Sequence, residues 1–184
     1  MERARYFRPP ALSGVEALHA NFVSHAYRHH SHPTWTIAVM RRGAAQFTVD
    51  GKPHRARAGE LFVLEPETVH TGMPAAEDGW AYEVLYLSPE LIADWAQRDR
   101  PAPLAAASAV FKAAALHRAL DRLHHALRVE ASGLELDEWV VQAADALHHQ
   151  LRPGPRPARD RPEHAAVRRA VQHLRPLGRH ARDM

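Results

Sequence analysis

The sequence predicts a mainly β fold, a small barrel or sandwich, closed by an antiparallel pair of helices. Three observations carry this reading. Short stretches with alternating apolar side chains recur up to Leu87, divided by Gly, Pro and Asp-Gly turn signals, the spacing of a sandwich or barrel. After Ser88 the apolar period lengthens from two to between three and four residues, which is the helical period. The chain has 184 residues, 46% of them hydrophobic, enough for one core with an appendage.

The elements follow in order. Ala20–Arg28 is expected to be a strand. Thr34–Arg42 is a stronger one, with Trp35, Ile37 and Val39 on one face, because side chains alternate along a strand. Gly43 is expected to end it and Ala45–Val49 to start afresh. Asp50-Gly51 predicts a two-residue hairpin turn, since both residues tolerate positive φ, and Lys52–Ala58 returns from it. Gly59 turns the chain into Leu61–Leu64, a continuous apolar run expected to be covered on both faces. Pro66 ends that run. Trp80–Leu87 carries Trp80, Tyr82, Val84 and Tyr86 on one face.

The helical part opens at Ser88-Pro89-Glu90, with Ser as N-cap and Pro in the first turn, and its first helix stops before Pro101. The second helix bears Leu116, Leu120, Leu123 and Leu127. The third starts at Ser132, with Glu135 completing a capping box, and carries Leu136, Val140, Ala143, Leu147 and Leu151. The short connection Val129–Gly133 makes these two helices antiparallel neighbours. Their stripes exceed what one barrel wall covers, so a dimer through 108–128 and 134–151 is expected. His124, His125, His148 and His149 are read as helix surface. Pro153–Pro162 is a Pro/Arg linker with nothing to bury, and Glu163–Leu174 is a last amphipathic segment.

Composition excludes several classes. Without cysteine there are no disulfides or thiolate metal sites, so any metal must use His, Asp or Glu. Met1–Pro10 has Arg3, Arg5 and Arg8 but no apolar stretch after them, and no run approaches a membrane span; a cytoplasmic protein is expected. The formal charge of +3 is concentrated in the tail: Arg168, Arg169, Arg175, Arg179 and Arg182 can attract phosphates but carry no sequence information. No nucleophile motif, Walker sequence or dinucleotide fingerprint is present.

The remaining pattern is His30-Ser31-His32, a strand to Gly43, the Asp-Gly hairpin, then Gly59 to His70 with Pro66 four residues before that histidine. It resembles the two linked motifs of the cupins, by motif over Tyr27–Gly72 and by pattern over Trp80–Leu87. Among cupins it is most similar to the N-terminal domain of AraC-type transcription regulators. The resemblance implies a double-stranded β-helix (jelly-roll) barrel over 1–100 including an N-terminal arm, and a helical dimerisation hairpin over 101–152. A linker over 153–162 and a basic tail over 163–184 would follow, the tail matching only the opening of a helix-turn-helix region.

It further implies a small-molecule effector bound by His30, His32, Thr36, His70, Trp80 and Tyr82, with no cofactor and no catalysis. DNA would be reached only through a complete family member, as homodimer or as heterodimer with an intact relative. Metal-binding cupins place a Glu where Thr36 stands, and a hydroxyl is a poor ligand for a divalent metal. His30, His32 and His70 alone could still hold one, and the alternative is then a stand-alone cupin dioxygenase or isomerase.

Overall fold

The computed structural model describes residues 2–10, 12–96, 104–106 and 108–153. The linker beyond Pro153 and the basic tail 163–184 lie outside them. The strands are β1 (Arg3–Phe7), β2 (Val15–Phe22), β3 (Tyr27–His30), β4 (Trp35–Val49), β5 (Lys52–Arg57), β6 (Leu61–Leu64), β7 (His70–Pro74) and β8 (Trp80–Leu87). After them come α1 (Pro89–Ala96), β9 (Leu104–Ala106), β10 (Val110–Phe111), α2 (Ala114–Arg128), α3 (Gly133–His148) and β11 (Leu151–Pro153). One path of paired strands runs β1-β2-β8-β4-β6-β10, while β4 also pairs with β5 and β7, and β7 with β3.

β4 is what rolls the sheet. Its first half pairs with β6 and β8, its second with β5 and β7. The expected break at Gly43 is therefore corrected: the strand bends there and continues. The β4–β8 register slips between Met40 and Arg42, and Gly43 has φ +68°. A Cβ at Gly43 would lie 1.9 Å from the Gly79 carbonyl oxygen, so the bend needs a residue without one. The hairpin turn is as expected, with Asp50 and Gly51 at φ 48° and 78° between paired Val49 and Lys52.

The single strand expected over Ala20–Arg28 is also corrected. β2 ends at Phe22 and β3 begins at Tyr27. Between them the backbone N–H groups of Val23, Ser24 and His25 leave the ladder and donate to Glu2 Oε1, at 2.9, 2.7 and 3.0 Å. This grip holds β1 against β2. Leu61–Leu64 is buried at every position, as a strand covered on both faces should be.

Alternation then sorts the molecule into two cores. Inside the barrel lie Ala38, Met40, Phe47, Phe62, Leu64, Trp80, Tyr82 and Val84. On the outer face Trp35, Ile37, Val39, Leu61, Val63, Leu85 and Leu87 meet Leu116, Leu120, Leu123 and Leu127 of α2 and Leu136, Val140 and Leu147 of α3. The helical stripes are thus consumed within the chain, contrary to the expectation that they exceed one barrel wall. α3 does begin with the expected capping box of Ser132 and Glu135.

Two helix limits differ from those expected. Residues 110–111 are not helical, because Val110 and Phe111 extend the barrel sheet beside β6. Leu151 is not helical either, since it pairs with Ala106 in β11–β9. His124 is no surface residue: it is 0% exposed. It stands four residues after Leu120 and three before Leu127, which puts it on the buried stripe.

Candidate functional site

The barrel holds a partly open cavity of about 150 Å³ to which six strands contribute. Tyr6 comes from β1, Tyr27 and His30 from β3, His32 from the β3–β4 connection, and Thr36 and Phe47 from β4. Phe62 and Leu64 come from β6, His70 from β7, and Trp80, Tyr82, Val84 and Tyr86 from β8. All six residues singled out in the sequence, His30, His32, Thr36, His70, Trp80 and Tyr82, line this one space. Trp35 faces the helices instead.

Tyr6, Tyr27, Phe47 and Phe62 are the residues that sequence reasoning missed. Phe47 and Phe62 follow from parity once the strands are paired. Tyr6 had no signal, because it depends on where β1 docks.

The three histidines are brought together by strand pairing. His30 stands opposite His70 in the β3–β7 register, and His32 follows two residues later on the same side. Ring centroids are 4.2 Å apart for His30–His70, 4.9 Å for His30–His32 and 5.2 Å for His32–His70. One ring nitrogen from each lies within 4.8 Å of the others.

Their protonation is set locally. His30 Nδ1 lies 2.7 Å from the Arg28 carbonyl oxygen and His70 Nδ1 2.9 Å from that of Thr68. A carbonyl only accepts, so each Nδ1 carries the proton and each Nε2 is left with a lone pair. Burial, then the neighbouring imidazoles, hold His32 down at about 3 and His70 at about 4, and burial lowers His30 as well.

This donor set fits a divalent ion in kind: three neutral imidazoles, two of them oriented by backbone carbonyls as metal-bound histidines commonly are. Thr36, paired with Leu64 and Tyr86, adds no anionic ligand. Its Oγ1 is buried without a hydrogen-bond partner, as is Trp80 Nε1. Trp80 and Tyr82 form a near-continuous aromatic wall, with centroids 4.6 Å apart and planes tilted by 32°. The Tyr82 hydroxyl donates to that of Tyr27 at 3.0 Å. Among the described residues no Asp, Glu, Lys or Arg lines the cavity.

A second convergence, His19, Glu83 and His124, lies between β2, β8 and α2. His19 Nε2 and His124 Nδ1 are hydrogen-bonded at 3.0 Å. Both oxygens of Glu83 are already engaged by guanidinium groups, Oε2 by Arg41 and Oε1 by Arg128. Arg41 also pairs with Asp121. Two cations on the only carboxylate of the trio disfavour a third, so this is a junction between barrel and helix.

Residues 12–151 match the family model described as the AraC-like ligand binding domain. Among solved structures the chain is similar to the AraC-like transcriptional activator CuxR, at 15% identity over 97% of this chain and 72% of that one, with a TM-score of 0.60. It also resembles a cupin 2 conserved barrel domain protein from Salinispora arenicola CNS-205, at 19% identity over 53% of this chain and 84% of that one, TM-score 0.43. A third is an RmlC-like cupin family protein from Methanocaldococcus jannaschii, at 12% identity over 48% and 81%, TM-score 0.44. No curated protein sequence matches the chain.

Proposed function

The chain belongs to the family of AraC-like ligand-binding domains, the sensing part of transcription regulators, and from that membership we propose that its barrel cavity is the receptor site for a small-molecule effector. The observation that carries this is the cavity itself: a space in the barrel interior, lined by aromatic rings and by three imidazoles with lone pairs to offer. Such a site is mostly apolar with a few converging polar groups, the general character of a small-molecule pocket. On this reading the protein senses and does not catalyse, and it works in the cytoplasm. Among the described residues no helix is long and apolar enough to cross a membrane. On this reading the chain serves transcription control as a homodimer or as a heterodimer with a relative.

Thermal unfolding against a panel of small metabolites tests the receptor reading. A ligand present at one hundred times its Kd stabilises the fold by about 2.7 kcal/mol, and Trp80→Ala should abolish that gain. A stabilisation that survives Trp80→Ala and His70→Ala would place the binding elsewhere.

A second reading is favoured by one observation, the Nδ1–H···O=C bonds that put the proton of His30 and His70 on Nδ1 and the lone pair on Nε2. There His30, His32 and His70 hold a divalent metal, whose chemistry when bound would be Lewis-acid polarisation of a ligand oxygen. Elemental analysis of the purified protein separates the two: stoichiometric zinc, nickel, iron or manganese supports the metal reading.

A further inference from the structure

The chemistry of the cavity wall narrows what the effector can be, an inference that rests on the receptor reading above. We propose that the effector is a neutral, single-ring phenol of the catechol type, stacked on the Trp80–Tyr82 wall and donating its hydroxyl protons to the His30–His32–His70 cluster.

Size sets the first limit. A cavity of about 150 Å³ takes one benzene-sized ring. The faces available to such a ring are flat and apolar, from Trp80, Tyr82, Phe47 and Phe62, and aromatic rings gain from offset or edge contacts beyond their buried area.

Hydrogen-bond accounting sets the second limit. The Nδ1 protons of His30 and His70 are consumed by the carbonyls of Arg28 and Thr68. What those two rings still offer are acceptors, so a ligand that meets them must bring O–H or N–H donors. A carboxylate brings only lone pairs and a negative charge, into a lining that has no cationic side chain among the described residues.

A monosaccharide brings donors on every side, whereas the imidazole nitrogens gather within 4.8 Å of one another and so accept from one edge of a ligand. Adjacent hydroxyls on one edge of an aromatic ring match the clustering.

Titration calorimetry on the full chain, in EDTA near neutral pH, tests this with four probes: catechol, toluene, benzoate and D-xylose. Catechol should bind at least about tenfold more tightly than each of the others, and toluene isolates the contribution of the hydroxyls because it keeps the ring. His70→Leu, checked for folding by circular dichroism, should weaken catechol by about tenfold or more; if that variant does not fold, the catechol-to-toluene ratio in the wild type decides alone. Benzoate or xylose binding more tightly than catechol, and losing that binding in Trp80→Ala, would overturn the ligand class and leave the receptor reading standing. Silence from all four probes would overturn the ligand class and leave the receptor reading to the thermal-unfolding panel. Catechol binding that appears only when zinc replaces EDTA would overturn direct donation to the imidazoles.

Discussion

At position 124 a histidine is sealed between β2 and α2, its Nδ1 on His19 and its Nε2 without a partner. Burial, foremost among its surroundings, lowers its pKa from 6.5 to about 3. The sign follows directly: between those values the unfolded chain binds a proton that the folded chain refuses, so stability rises with pH in that window. This contribution is full above about pH 6.5 and is lost as the pH falls, by about 2 kcal/mol at pH 5. Urea midpoints at pH 7.5 and pH 5 should therefore diverge in the wild type and diverge less in His124→Leu. Equal divergence in the two proteins would contradict the assignment.

The histidine was legible as a member of the Leu120–Leu127 stripe, but residue type alone pointed to the surface, and the partner that makes burial tolerable lies more than a hundred residues earlier. Gly43 teaches the same lesson. A glycine in a strand pattern marks a bend as readily as an end, and only the carbonyl of Gly79 decides which. Gly43→Ala combines a left-handed φ with a backbone clash and should cost about 2 kcal/mol or more in denaturant unfolding.

At the scale of elements, periodicity gave the right type for the long segments from Trp35 to Leu87 and for α2 and α3, while β1 and most of β2 escaped it. The capping box at Ser132, the Asp-Gly turn and the apolar run Leu61–Leu64 were read directly from local chemistry. β7 escaped because it is short and broken by Gly72, and β9, β10 and β11 because two or three residues carry no period. What periodicity cannot give is the partner of a face. Trp35, Ile37 and Val39 were seen to share a face, but only the fold turns that face outward onto α2 and α3 while Thr36 turns toward the cavity. Leu116, Leu120 and Leu123 are each 1% exposed in that contact. Leu120→Ala is therefore expected to cost about 2–5 kcal/mol, measured by chemical unfolding; a loss under about 1 kcal/mol would mean that the helices are not bound to the barrel wall in solution.

For the whole molecule, β2, β4, β6 and β8 are walls shared by both cores, with cavity on one side and helices on the other. For the proposed dimer the outer side of α3 offers Leu134 and Val141, 82% and 54% exposed and seven residues apart. Sedimentation of the proposed dimer should shift to monomer in Leu134→Glu/Val141→Glu, with the helical signal of circular dichroism unchanged.

The proposal that matters most is that the barrel interior receives the effector, and the Trp80 indole N–H reports on it from inside. Nitrogen-correlated NMR spectra of the indole groups, taken while catechol is titrated in, test it most directly. With the effector inside the barrel, the Trp80 resonance, assigned through Trp80→Phe, moves with saturation while those of Trp35 and Trp139, which belong to the outer core and its margin, stay in place. Saturable binding by calorimetry with an unmoved Trp80 resonance would contradict it.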